Sequence, residues 1–165
     1  MNPEERRAFV RAHRQGVFGY SRKPEGPAMS LVYYVVDDND DLLISTLAAC
    51  GKARVVERNP KISFCVLDEQ WPQSYLQLYC DATIDATTET ALETVVDLMM
   101  RIGGLMAGTP LPEAVRDMVR EGALAEKRVQ LRLHPYATLE SPPRHVYSEA
   151  DLEGLTHDLG RRLPW

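Results

Sequence analysis

No stretch of this chain approaches the roughly 20 consecutive apolar residues that cross a bilayer. Its first fifteen residues, MNPEERRAFVRAHRQ, are charged rather than apolar. Neither a membrane span nor a secretory leader is expected, which makes the cytoplasm the expected compartment. Cysteine is scarce. Cys50, Cys65 and Cys80 are odd in number and form no C-x-x-C pair, which argues against a disulfide framework and for three reduced thiols. His13, His134, His145 and His157 form neither H-x-x-x-H nor H-E-x-x-H, so no zinc site is expected. Positive charge is not in surplus either: 19 Lys and Arg face 24 Asp and Glu, a net charge of −5. Such a chain has no global attraction for nucleic acid or anionic membranes, and an anionic ligand would need a local basic patch. There is no internal repeat and no low-complexity tract.

What is present suits one ordinary globular domain. Hydrophobic residues make up 44% of 165, enough to bury a core without staples. The pattern predicts a helix over 3–15, with Glu4 and Glu5 in the first turn, Arg11 and Arg14 in the last, and Gly16 as its stop. A short strand over 17–21 leads through the turn-rich RKPEGP into a long β-branched and aromatic strand over 28–36. The solvated turn DDNDD follows, then a strand over 41–46. These three strands read as an antiparallel meander. A short helix over 48–58 stops at Asn59-Pro60. Strands over 61–67 and 74–85 flank the loop DEQWPQ, the second with period-two alternation. Helices follow over 87–106, capped by Thr87 or Thr88 and weakened at Gly103-Gly104, and over 110–122. A strand over 127–133 is succeeded by Pro135, Pro142-Pro143 and a tail whose only element is a helix over 148–159. Six mainly antiparallel strands suit a small, nearly closed barrel with helices on its outside. The expected class is mainly β with peripheral helices, α+β, with a core domain over 1–140 and an extension over 141–165.

The informative stretch runs from Leu42 to Tyr75. A strand ends in Ser45-Thr46, a tight segment with Gly51 follows, and a short helix carries Lys52 and Arg54. Hydroxyls, unpaired N–H groups of a first helical turn and two cations meet at one strand-to-helix junction, and a phosphate fits there. Arg would grip it with a fork and Lys as a point charge.

The same stretch, LLISTLAACGKARVVERNPKISFCVLDEQWPQSYLQLYCDATI, resembles the signature region of the pyridoxamine phosphate oxidase-like FMN-binding split-barrel superfamily. More narrowly, it is similar to the flavin/deazaflavin oxidoreductases of actinobacterial type. The resemblance rests on Ser45-Thr46, the pattern K-x-R-x-x-x-R-N-P from Lys52, and the D-rich loop. Gly16-Val17-Phe18, Gly26-Pro27-Ala28-Met29-Ser30, Met100-Arg101 and 127–131 also fit. It covers roughly residues 8–140. It implies a split barrel of about six strands and a homodimer with two cofactor sites at the subunit interface.

By position, Ser45, Thr46, Lys52, Ala53 and Arg54 would cradle the phosphate-bearing tail, and Met29 and Ser30 would lie along the tricyclic ring. Trp71, Gln73 and Tyr75 would come from the partner subunit, and Arg128 and Arg101 are further candidates. The chain departs from the pattern at Cys50-Gly51, Cys80 and Met100. The implied function is hydride transfer between bound deazaflavin, coenzyme F-420, or else FMN, and a small organic substrate. No acid–base pair stands out near the junction, so the catalytic residues stay unassigned. The alternative is a non-catalytic split-barrel module that binds a cofactor, haem or a lipid-like ligand.

Overall fold

A computed structural model describes residues 1–22, 26–68, 74–85, 89–141 and 161–165. Its first helix, α1 (Pro3–Ala12), opens on a capping box: the Asn2 side chain accepts from the Glu5 N–H at 2.9 Å and Glu5 accepts from the Asn2 N–H at 2.7 Å. It ends earlier than expected, because His13 is already extended and a strand begins at Gln15. Gly16 is no helix stop. It lies in β1 (Gln15–Tyr20), where a Cβ would stand 2.3 Å from the Phe64 ring. The glycine lets that aromatic pack on the backbone.

β1 pairs antiparallel with β2 (Ala28–Tyr33), and β3 (Val35–Val36) pairs antiparallel with β4 (Leu42–Leu47). The expected long strand over 28–36 is therefore two strands with different partners. Tyr34 divides them: it is buried, its hydroxyl donates to the Val10 carbonyl at 2.7 Å, and its N–H goes to Arg14. Burial without an ionic partner pushes its phenol pKa far up. After α2 (Gly51–Val56) come β5 (Lys61–Asp68) and β6 (Ser74–Ile84), then α3 (Glu89–Ala107), a 3-10 turn over Glu113–Val115, α4 (Arg116–Ala125), β7 (Arg128–Ser141) and β8 (Arg161–Pro164).

The strands form one sheet in the order β2-β1-β5-β6-β7-β4-β3, with β8 added on β7. β2 and β3 stand at opposite ends of that order yet are separated by one residue in the chain. The sheet must curl until its two edges meet at Tyr34, which is the split barrel expected. The simple meander is not observed, since β5, β6 and β7 lie between β1 and β4. The barrel interior is filled by alternate residues, among them Phe18, Leu42, Ile44, Phe64, Leu78, Leu131 and Leu133.

Gly103 and Gly104 lie inside α3 near its end, where expected, and a Cβ at Gly103 would meet Leu111 at 2.5 Å, so they admit the following loop. Several expectations need correction. Gly122 lies inside α4, which starts at Arg116 instead of Pro110. β7 does not stop before Pro135. It runs fourteen residues, and the proline falls beside a register shift in the β6–β7 pairing. On its other side β4 ends at Leu133 and β8 begins at Ala137, so no neighbour there needs its missing N–H. β8 follows the expected helix over 148–159, which lies outside the described residues, as do Thr87 and Thr88. Buried Arg6 donates to the Pro164 carbonyl at 2.7 Å and ties α1 to β8. Among the described residues no helix is long and apolar enough to cross a membrane.

Candidate functional site

β4 presents two faces. Leu42, Ile44 and Thr46 face the barrel interior opposite Leu133, Leu131 and Val129, whereas Leu43, Ser45 and Leu47 face outward opposite Arg132, Gln130 and Arg128. The two hydroxyls expected to act together therefore diverge. Thr46 is 4% exposed and points into the barrel. Ser45 meets Arg128, whose Nη1 donates to Oγ at 3.3 Å while its Nε pairs with Glu126.

The chain then turns into α2. The Ala48 N–H donates to the Lys127 carbonyl and the Cys50 N–H to the Leu47 carbonyl, both at 3.0 Å. This pins the corner to the start of β7. Cys50 occupies the N-cap position in extended conformation with no side-chain cap. A thiol is a poor substitute for Ser or Asp there, so the first N–H groups of the helix are left without a side-chain acceptor. Ala53, Val55 and Val56 are buried, and Ala53 and Val56 join the barrel core. Lys52 is half-buried and Arg54 exposed. Among the described residues neither cation has an ion-pair partner. A Cβ at Gly51 would stand 3.0 Å from the Tyr20 hydroxyl, so the end of β1 closes over the corner. Tyr20 is a neighbour of the site that local pattern did not reveal, since its approach to Gly51 is a tertiary contact.

Met29 and Ser30 also face opposite ways. Ser30 opposes core residue Phe18, whereas Met29 opposes Gly19 on the outer face and is 75% exposed. Tyr75, opposite Leu67, is exposed on that same face. Trp71 and Gln73 lie outside the described residues. Arg101 is exposed near the end of α3, where it donates to the Val36 carbonyl at 3.3 Å, in a groove remote from α2. The structure thus brings Ser45 and Arg128 together, sets Lys52 and Arg54 on the short helix that follows, keeps Met29 and Tyr75 on the outer face, and turns the side chains of Thr46 and Ser30 inward.

A second polar cluster was not anticipated. Arg132 pairs with Asp37 and, at 3.1 Å, with Asp41, and Asp41 meets His134 Nδ1 at 2.7 Å. The DDNDD turn is thus only partly solvated: Asp41 is buried and paired. Burial pushes the Asp37 carboxyl up, but the Arg132 guanidinium and the N–H groups of Asn39 and Asp41 together outweigh it and hold its pKa below the usual value. The alternation Arg128/Gln130/Arg132 was the available signal, and the partners of Arg132 lie some ninety residues away. All three cysteines are free, and burial raises the thiol pKa of Cys65 and Cys80.

The model of the pyridoxamine 5'-phosphate oxidase family matches residues 3–138. The chain belongs to that family. Its fold is similar to that of a conserved hypothetical protein of Mycobacterium tuberculosis (TM-score 0.71, 23% identity, 96% of this chain and 91% of that one). It is also similar to a FAD-binding protein of Mesorhizobium loti (0.60, 12%, 84% and 90%). A third likeness is to HutZ, the heme storage protein of Vibrio cholerae (0.55, 15%, 81% and 89%). At these identities the likeness concerns the fold. No curated protein matches the sequence.

Proposed function

We propose that this family member binds coenzyme F-420, or in second place FMN, and transfers a hydride between it and a small organic substrate. The observation that carries the reading is the pair of cations, Lys52 and Arg54, unpaired among the described residues and beside an uncapped helix start. Residues of this kind fit the phosphate of a flavin-type cofactor: Lys52 supplies a point charge, Arg54 a fork, and the Ser45–Arg128 pair a hydroxyl and a second guanidinium within reach of β4. Ala53 is buried, so it would contribute its backbone only. The cofactor, when bound, supplies the redox chemistry. The chain's own part is to hold the phosphate, orient the ring and exclude water.

Lys52 is half-buried and Arg54 exposed in the single chain. A second subunit would cover both. The exposed outer face bearing Met29, Leu31, Leu67 and Tyr75 supports a homodimer paired through that face. The likeness to HutZ supports a second reading, a module that binds haem without turnover.

Titration of the purified protein with F-420, FMN and haem, followed by fluorescence and absorption, separates these. Micromolar binding of F-420, about 8 kcal/mol, with oxidation of the reduced cofactor across a substrate panel, is expected. Stoichiometric haem binding without flavin binding would favour the second reading. No binding of F-420 or FMN overturns the first.

A further inference from the structure

Between α3, α4 and the start of β7 lies a cavity of about 540 Å³, within the roughly 300–1,000 Å³ typical of small-molecule pockets. Its body is apolar. Ala91, Leu92 and Val95 of α3 face Ala123 and Leu124 of α4, with Val129 of β7 at the base. It does not include Lys52 or Arg54, though it shares Arg128 with the proposed cofactor corner.

The polar groups of its lining differ in how far they are satisfied. Arg120 Nε is held by Glu93 at 2.6 Å. Asp85 accepts from the buried Gln130 side chain, and its N–H donates to the Gln130 carbonyl at 3.1 Å, so this acid is already occupied. Arg128 spends Nε on Glu126 and Nη1 on Ser45, leaving Nη2 without a bond among the described residues. Lys127 has no ion-pair partner among the described residues. It sits in the tight α4–β7 turn at φ 50, a left-handed conformation, fixed by its N–H to the Leu124 carbonyl and its own carbonyl to Ala48. The spare donors of the lining are thus cationic and its one carboxylate is engaged.

We propose that this cavity binds a singly charged organic anion with an apolar body, an alkyl or aryl carboxylate. The apolar part lies among the helices, and the carboxylate reaches Lys127 and the free edge of Arg128. The match is one of charge and polarity: burial supplies affinity, and the unpaired ammonium selects an anion over a neutral or cationic ligand of the same length.

Calorimetric titration of the full chain with octanoate, octan-1-ol and octylammonium tests this without any redox cofactor. Octanoate is expected to saturate one site per chain and to bind most tightly, octylammonium least. Lys127→Gly keeps the turn, because glycine adopts a positive φ readily. It should weaken octanoate about tenfold or more, as expected for one lost charged hydrogen bond, and leave octanol unchanged. Ala91→Leu should occupy the cavity and abolish binding of both while the melting curve stays cooperative. Equal affinity for the three ligands, no saturable octanoate binding, or undiminished octanoate binding in either variant would overturn the proposal. Lys127 and Ala91 are not among the residues proposed to hold the cofactor, so loss of octanoate binding in these variants is distinguishable from failure of the F-420 titration.

Discussion

The outer surface of the barrel has two regions built from the same alternation and finished differently. Over β3 and β4, the outward residues Val35 and Leu43 are buried beneath Leu98 and Ile102 of α3, and α4 packs on the same helix through Ala123 and Val119. Over β2, β1, β5 and β6, the outward residues Leu31, Val17, Cys65 and Gln77 lie in one cross-strand row, with Met29 and Gly19 on one flank and Leu67 and Tyr75 on another. No helix described here covers them: Leu31 is 69% exposed where Leu43 is 6%. The strands themselves carry apolar side chains on both faces in each region. A sheet that buries only one face has no need of outward leucine and methionine. The bare region is therefore the face through which the proposed homodimer would pair, whereas the covered one has its partner in the same chain.

Matched substitutions offer the strongest way to break this contrast. Leu43→Ala should lower folding stability by about 2–4 kcal/mol, the cost of truncating a buried leucine. Leu31→Asp should leave the circular dichroism spectrum native and instead shift the protein from dimer to monomer in sedimentation. If Leu31→Asp unfolds the chain, or leaves a monomeric wild type unchanged, the two regions do not differ as described.

The α2 corner stands where the two regions meet. Arg128 reaches it from the covered side, and Tyr20, at the end of β1, from the bare side. Lys52→Ala should weaken cofactor binding by roughly 1.5–3 kcal/mol, as for a charged hydrogen bond, with fold and assembly intact. Unchanged affinity would move the site away from the seam.

The sequence made the alternation legible, and with it the barrel, because period-two patterning is local. It also placed Lys52 and Arg54 on a short helix after a Ser-Thr strand end. What it hid were facts of register. Ser45 and Thr46 are adjacent in sequence and so face opposite ways, as do Met29 and Ser30. That follows from strand geometry alone, which splits a motif of adjacent residues between two faces. The split at Tyr34 could not be read, because the residue is as β-prone as its neighbours and its role depends on a hydrogen bond to α1. Pro135 read as a stop for the same kind of reason: the gap that accommodates it is made by β4, β8 and a register shift in β6.

Acid should act on the two regions unequally. The Asp37–Arg132 pair and its neighbour Asp41 tie the β3–β4 turn to β7. With its folded pKa below the unfolded value of about 3.9, Asp37 contributes stability that is fully present above that value. The contribution is lost as pH falls from there through the folded pKa. Asp37→Asn should cost about 1 kcal/mol at neutral pH and progressively less as pH drops toward 3, measured by urea denaturation across that range. The Lys61–Asp81 pair at the end of β5 and β6 is solvent-exposed, and Asp81→Asn should leave the same titration unaltered.

The smallest effect has the opposite sign, and it tests how the covering helices are attached. Lys127 joins α4 to β7 at φ 50, and the chain's other non-glycine residue described with positive φ is Asp40. The two differ in what holds them. Asp40 is bound by Arg11 at 2.6 Å and Arg7 at 3.3 Å, and an aspartate tolerates the left-handed region. Lys127 has no such side-chain support, so its backbone strain is sustained by the N–H and carbonyl bonds to Leu124 and Ala48 alone. Replacing it with glycine relieves about 1 kcal/mol of strain and returns up to about 1 kcal/mol through the greater freedom of the unfolded chain. A net stabilisation of a few tenths of a kcal/mol is expected, visible as a slightly higher melting temperature. Asp40→Gly, which gains the same relief but loses two ion pairs, should be neutral or destabilising. A clear loss in Lys127→Gly would mean that the lysine side chain itself holds the helical cover in place.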